Sequence, residues 1–294
     1  MLAACAGLGA APAGAACQIT KVADREVSIQ NGMLVVTASV HHLDLPMAVD
    51  SGASRTMVTP DAAVLLKLPI MQGDPLTIRG VGGRTRGVQI YTSFGFGDGD
   101  PPRVLLVEPM PFQNDAHPVA GLIGADLLSG YDVELDLPAR RLTLYRAQGC
   151  GGDYVPWQGA HDVLHARAGD GQSLIVPVQV DGHTLDALLD TGSTSTVVDA
   201  AAAARHLDLD AAATASERVG AARGFGIGAP EVYRHRFKEL RIGTERFANV
   251  PLAVAAINLN DAGMLLGTDY FSRHRAWLSW SNGSVFVQPA QAGK

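Results

Sequence analysis

Two stretches of the chain carry the same order of apolar and polar positions. One runs through Leu34-Val35-Val36, Val40 and Leu45-Pro46-Met47-Ala48-Val49 to Asp50-Ser51-Gly52. The other runs through Leu174-Ile175-Val176, Val180 and Leu185-Asp186-Ala187-Leu188-Leu189 to Asp190-Thr191-Gly192. β-Branched runs broken by His41-His42-Leu43-Asp44 and by Asp181-Gly182-His183 predict pairs of strands joined by turns. After each Asp-x-Gly a short strand leads into a helix-like stretch, residues 60–66 and 199–205. Pro60 suits a first helical position and Asp199 suits a cap. Glycine-rich hairpins follow at 80–87 and 220–226. Further strands reach Leu122-Ile123-Gly124 and Leu265-Leu266-Gly267. Each stretch closes with a hairpin, 133–137 with 141–145 and 276–280 with 284–288. The turn Ser281-Asn282-Gly283 is a strong hairpin signal. The pattern is mainly β, with one short helix after each Asp-x-Gly loop.

The two stretches are copies. Leu34 and Leu174 are 140 positions apart, as are Asp50 and Asp190, Thr56 and Thr196, Val58 and Val198, and Gly80 and Gly220. Gly124 and Gly267 are 143 apart, as are Asp126 and Asp269, Leu135 and Leu278, and Leu144 and Val287. Three residues are therefore inserted between Gly220 and Gly267. An offset held this long, with matching types at special positions, marks a duplication with copies of about 120 residues. The length of 294 residues accommodates two domains, each able to bury a core. The expected division is a leader at 1–17, an N-terminal lobe at 18–150 and a C-terminal lobe at 151–294.

Composition narrows the partners. A net charge of −6 gives no basic surface for nucleic acid. The 23 Lys and Arg are scattered, so no polybasic membrane patch forms. No segment beyond the leader is apolar for long enough to span a bilayer. Residues 1–17 are nearly all Ala, Gly, Leu and Pro and read as the remnant of a signal peptide, with a small-residue linker as the plain alternative. Leu2-Ala3-Ala4-Cys5 resembles the lipobox of bacterial lipoproteins, which implies a lipid anchor at Cys5. Ala13-Gly14-Ala15 resembles an A-x-A cleavage site. The expected location is the bacterial cell envelope, periplasmic or lipid-anchored. Cys17 and Cys150 bracket the first lobe. In an oxidising compartment their disulfide would close a loop of more than a hundred residues, worth about 4–5 kcal/mol by chain entropy. The alternative is two unrelated thiols.

Asp50-Ser51-Gly52-Ala53 and Asp190-Thr191-Gly192-Ser193, each behind an apolar strand, resemble the active-site loops of aspartic peptidases. Leu122-Ile123-Gly124 and Leu265-Leu266-Gly267 resemble the apolar-apolar-Gly element of that family's ψ-shaped core. The glycine-rich hairpins resemble retropepsin flaps. The chain is thus similar, from Leu34 to Gln288, to the single-chain, two-lobed bacterial form of the retropepsin-like aspartic peptidases. The resemblance implies two closed, barrel-like lobes with a second short helix near each ψ element. It implies Asp50 and Asp190 as the catalytic pair. Ser51 and Thr191 would tie the loops together by hydroxyl hydrogen bonds, with Gly52 and Gly192 allowing close approach. Ala53 and Ser193 sit where a side-chain contact to carboxylate or substrate is expected. Gly80, Val81, Gly82 and Gly83, with Gly220, Ala221 and Ala222, would form substrate-binding flaps. No cofactor is implied, the substrate is a peptide or protein, and a monomer carries both halves of one site.

The chemistry follows from the residue types. Two carboxylates held about 3 Å apart cannot both ionise and share one proton. The ionised member activates a water and the protonated member polarises the scissile carbonyl. A different reading keeps the duplicated fold but makes it a catalytically inactive peptide-binding or scaffold module of the envelope. Arg84, Arg86 and Arg223 at the flap tips either bind acidic substrate residues or are ordinary loop charges. Phe225 and Ile227 either cover the cleft or pack under the hairpin. Asp126 and Asp269 recur in both copies and read as structural, in capping or a similar role. His161 and His165 are four apart without H-E-x-x-H and read as interlobe loop rather than a zinc site.

Overall fold

The computed structural model describes residues 16–97, 99–111, 118–209 and 217–289. Its first half contains β1 (Gln18–Glu26), β2 (Ser28–Gln30), β3 (Met33–Val40), β4 (Leu43–Val49), β5 (Met57–Val58), α1 (Pro60–Leu65), β6 (Leu76–Gly80), β7 (Gly83–Gly95), β8 (Pro102–Val107), β9 (Gly121–Ile123), α2 (Ala125–Leu128), β10 (Asp132–Asp136) and β11 (Arg141–Gln148). Then come β12 (Asp162–His165), β13 (Arg167–Ala168), β14 (Leu174–Val180), β15 (His183–Leu189), β16 (Val197–Asp199), α3 (Ala200–His206), β17 (Arg218–Ala221), β18 (Glu231–Ile242), β19 (Glu245–Ala255), β20 (Met264–Leu266), α4 (Thr268–Phe271), β21 (His274–Ser279) and β22 (Ser284–Pro289). The fold is mainly β with retropepsin-like topology, as the sequence predicts.

Two eight-stranded sheets repeat one plan. The first has the order β2-β3-β4-β9-β5-β8-β7-β6, and the second has β13-β14-β15-β20-β16-β19-β18-β17. A further pairing of β3 with β7, and of β14 with β18, closes six strands of each sheet into a barrel. Leu34, Val36, Ala38 and Val40 point into the first barrel core, and Leu174, Val176, Val178 and Val180 into the same continuous core on the other side. The alternate residues of these strands are buried too. Met33, Val35, Ala48 and Leu122 form one outer apolar face, and Ile175, Leu188 and Leu265 form its counterpart. Burial on both faces explains the near-continuous apolar runs in the sequence.

The local signals act as read. Thr59 caps α1 by accepting from Ala62 N at 3.1 Å, with Pro60 in the first turn. Asp199 caps α3 through Ala201 N and Ala202 N at 3.0 and 3.1 Å. A short helix follows each apolar-apolar-Gly element. The strand register also resolves the three-residue insertion into two changes. Val107 pairs with Val58 as Val254 pairs with Val198, so these residues correspond at an offset of 147. Two residues separate β6 from β7, but nine separate β17 from β18. The tip of the second hairpin is thus seven longer, and the run from Val254 to Met264 is four shorter than that from Val107 to Gly121.

A third sheet, β1-β11-β10-β21-β22-β12, joins the halves. Its centre is the antiparallel pair β10–β21, with Asp132 opposite Ser279 and Leu135 opposite Ala276. The sequence pattern predicts the two closing hairpins but not their union. It puts His161 and His165 in an interlobe loop, whereas residues 162–165 are a strand pairing with β22. Period-two alternation over only four residues gives little signal. Buried carboxylates at this seam are fully engaged. Asp132 accepts from Tyr154, from Trp277 Nε1 at 3.1 Å and from Ser279 Oγ at 2.9 Å. Glu134 accepts from Tyr145 Oη at 2.8 Å and Trp157 Nε1 at 2.9 Å, and pairs with Arg275.

Cys17 and Cys150 form a disulfide across 133 residues, at the outer edge where β1 pairs with β11. Cys5, the segment Ala13-Gly14-Ala15 and most of the expected leader lie outside the described residues. Among the described residues no helix is long and apolar enough to cross a membrane. By loop length, replacing both cysteines with serine should lower unfolding stability by roughly 4–5 kcal/mol. Urea unfolding of wild type against C17S/C150S checks this, and an unchanged midpoint would remove the bond from the stability account.

Candidate active site

Each Asp-x-Gly loop is held by the ψ element of its own half. β4 runs parallel to β9, with Ala48 opposite Leu122 and Val49 opposite Ile123, and Asp50 N donates to Ile123 O at 3.0 Å. β15 runs parallel to β20 in the same way, and Asp190 N donates to Leu266 O at 3.0 Å. The far end of each loop is pinned by a threonine and an aspartate. Asp126 accepts from Thr56 N at 2.8 Å and Thr56 Oγ1 at 2.7 Å. Asp269 accepts from Thr196 N at 2.9 Å and Thr196 Oγ1 at 2.7 Å. Asp126 and Asp269 are therefore anchors for the loops, not helix caps.

The loops then grip one another. Ser51 Oγ donates to Leu189 O at 2.7 Å and accepts from Thr191 N at 3.1 Å. Thr191 Oγ1 donates to Val49 O at 2.9 Å and accepts from Ser51 N at 3.0 Å. All four bonds cross between halves, and both hydroxyls are buried. A hydroxyl that donates and accepts in a dry site is fully satisfied, so the clasp carries no desolvation debt.

The clasp brings Asp50 and Asp190 together. Asp50 Oδ1 accepts from Gly52 N at 3.0 Å and Ala53 N at 2.9 Å. Asp190 Oδ1 accepts from Gly192 N at 2.9 Å and Ser193 N at 3.1 Å. Each carboxyl group lies against the glycine of the opposite loop. Space is the constraint here. A Cβ on Gly52 would fall 2.6 Å from Asp190 Cγ, and one on Gly192 would overlap the Asp50 carboxylate. Ala53 and Ser193 touch the carboxylates, but through their main-chain N–H groups. The Ser193 hydroxyl is turned away and donates to Ser195 O at 2.7 Å, because the loop geometry already fills Asp190 Oδ1.

Both aspartates are partly buried, and each carboxyl group lies against the glycine of the opposite loop. Burial is the first cause that raises the pKa of each. The main-chain donors oppose it, and Asp190 is pushed well above the ordinary value by burial and then by the Asp50 charge. The proton belongs to the pair rather than to either residue.

The hairpins meet above this floor. Gly82 N donates to Phe225 O at 2.8 Å, and Gly228 N donates to Gly82 O at 2.7 Å, with Gly82 and Gly226 in a parallel bridge. Val81 packs against the apolar face of Ile175, Leu188 and Leu265 in the second half. Phe225 packs reciprocally on the face of Met33, Val35 and Leu122, beside Ala53. Each tip thus reaches the opposite half. Gly220 and Ala221 lie in strand β17, and Ala222 N closes the base of the second tip on Pro230 O at 2.8 Å. The tip-to-tip contact is made by residues 225–228. The Gly224-Phe225-Gly226-Ile227-Gly228 run was the available signal, since an aromatic residue between glycines suits a mobile apolar tip. Ile227 is fully exposed. Arg84 and Arg86 are exposed on the face of β7 opposite Thr85, which turns inward.

Residues 176–273 match the family model described as gag-polyprotein putative aspartyl protease. Over that segment, which holds Asp190, the second hairpin and Leu265-Leu266-Gly267, the chain is retropepsin-like in sequence as well as in fold. No curated protein matches the chain.

The raised pKa values have a consequence for stability. A carboxyl whose folded value is raised contributes fully to stability below its unfolded value, near 3.8, and loses that contribution as pH climbs to the folded value. Wild type should therefore lose stability above pH 3.8, while Asp190→Asn should not share that loss. The variant's advantage is expected to be near zero at pH 3. It should grow by about 1.4 kcal/mol per pH unit between the two values. Unfolding curves at a series of pH values test this, and a pH-independent gap would refute the raised pKa values.

Proposed function

We propose that the chain is an aspartic endopeptidase that hydrolyses peptide bonds with a water held between Asp50 and Asp190, one carboxylate from each half. The observation that carries this reading is that the clasp of Ser51 and Thr191 sets each aspartate's carboxyl group against the glycine of the opposite Asp-x-Gly loop. The ionised partner takes a proton from the water, whose oxygen attacks the scissile carbonyl carbon. The protonated partner gives its proton to the carbonyl oxygen. Collapse of the tetrahedral species returns that proton to the dyad as the leaving nitrogen takes the other. The Oδ1 atoms, each fixed by two main-chain donors, keep the carboxyl planes aligned while the proton moves.

An extended peptide fits the geometry. The floor is two apolar faces, and hairpins cross above it, so main-chain pairing of substrate with flap edges supplies affinity. Val81 and Phe225 occupy the two apolar faces, and a substrate would replace them with its own apolar side chains. One chain supplies both aspartates, so the proposed active form is a monomer. The Cys17–Cys150 disulfide supports an oxidising compartment such as the cell envelope. A lipid anchor at Cys5 rests on the Leu2-Ala3-Ala4-Cys5 sequence alone.

Asp50→Asn and Asp190→Asn should each lower cleavage of a peptide library by at least about 100-fold while leaving circular dichroism unchanged. Wild-type kcat/KM should follow a bell-shaped pH profile belonging to the pair. Activity that survives both single variants would sink the proposal, and a wild type that binds the peptides without cleaving them would leave the inactive peptide-binding module.

A further inference from the structure

The two halves differ where the loop after β8 meets the flaps. A cavity of about 210 Å³ opens there, lined by Thr85 of the first hairpin, Glu108, Pro109 and Met110 of the loop, and Phe225 and Ile227 of the second hairpin. Glu108 is the one charged side chain among the described residues that line it. It is 8% exposed. Thr85 Oγ1 donates to its Oε1 at 2.6 Å, and its main-chain N donates to Val58 O at 3.1 Å. Among the described residues it has no ion-pair partner within 4.0 Å.

The strand register shows what the other half has at this place. Val107 corresponds to Val254, so Glu108 corresponds to Ala255. Ala255 is buried in the apolar face with Ile257 and Leu265. The duplication therefore gives one half an apolar wall and the other a nearly dry carboxylate. The loop carrying Glu108 is also the longer one, by the four residues noted above.

We propose that Glu108 builds a subsite for a basic substrate side chain, Arg or Lys. This rests on the peptidase reading. One hydroxyl donor leaves most of the acceptor capacity of a carboxylate unused, and a buried carboxylate without a cation is costly. A guanidinium or ammonium entering the cavity supplies the missing donors and the opposite charge. The methylene stem of such a residue can lie along Pro109 and Met110 while its head reaches Glu108. Basic peptides also suit a chain of net charge −6. The exposed Arg84 and Arg86 are on the outer face of the first hairpin and do not compete for Glu108.

Two arms test this on the full chain. In the first, decapeptides with a single Arg walked through an apolar sequence are cleaved by wild type and by Glu108→Gln. At one position, Arg should be preferred over Gln by roughly tenfold in kcat/KM, and Glu108→Gln should bring that ratio close to one. The second arm needs no cleavage. The same peptides are titrated into Asp190→Asn with and without Glu108→Gln, by calorimetry. Arg should bind tighter than Gln at the same position only when Glu108 is present. Glu108→Met, an apolar replacement of similar size, serves if Glu108→Gln does not fold, with the same ratio expected. A ratio unchanged by either substitution, a preference for acidic residues, or equal or no binding of Arg and Gln peptides would overturn the subsite. Failure of cleavage alone, with the binding difference intact, would count against the peptidase reading and for the subsite.

Discussion

Everything in this fold depends on holding two carboxyl groups against each other away from bulk water. That arrangement is intrinsically unfavourable, since burial opposes charge and each ion opposes its neighbour. Four hydrogen bonds between halves, made by only Ser51 and Thr191, fix the loops at this separation. Gly52 and Gly192 then decide how close the carboxylates can come, because each glycine lies where the opposite aspartate needs room. The symmetry is mechanical. What one loop donates the other accepts, so neither hydroxyl is left unpaired.

A clasp of four bonds would be weak if the halves were otherwise free. They are joined at two further levels. Below the loops, β10 and β21 pair directly and make one sheet of six strands, so main-chain hydrogen bonds cross the duplication. Aromatic rings fill the space under that sheet. Tyr145 stacks on Trp277 with ring centres 4.6 Å apart, and Trp157 and Phe286 complete the cluster. Above the loops, the hairpin tips exchange Val81 and Phe225. The dyad is thus the middle layer of three contacts between halves. Only the upper layer can open without disturbing the sheet, which makes the hairpins the natural entry for a peptide.

What the sequence revealed, and what it concealed, divides along the same lines. Local chemistry was legible: Asp199 as a cap, Pro60 in a first turn, and the turns at His41-His42 and Asp181-Gly182, all of which adopt positive φ. The duplication was legible because the Asp-x-Gly and apolar-apolar-Gly elements that form each ψ core keep their residue types, while the length differences fall between them. Pairing between halves was not. Period-two alternation says that residues 133–137 are a strand, but nothing in it says that the neighbour is β21. Ser193 is a related case. Its type suggests a side-chain contact to carboxylate or substrate, while the loop's main chain already satisfies Asp190 Oδ1. Phe225 was ambiguous because a flexible tip between glycines fixes its own position only through the partner surface it finds.

The copies have also diverged in a way that symmetry makes visible. Residues that maintain the dyad stay matched in pairs: Ser51 with Thr191, Thr56 with Thr196, Asp126 with Asp269. Residues around the cleft do not. The second hairpin tip has nine residues where the first has two, and Glu108 stands where the other copy has Ala255. A site formed by two identical halves must present the same walls to both sides of a substrate. A single chain is released from that rule, since each copy can change alone. The pattern seen here is the one expected when the catalytic floor tolerates no change and the walls are free to acquire direction. A buried carboxylate on one side only would then let the cleft tell one end of an extended peptide from the other, which main-chain pairing cannot do.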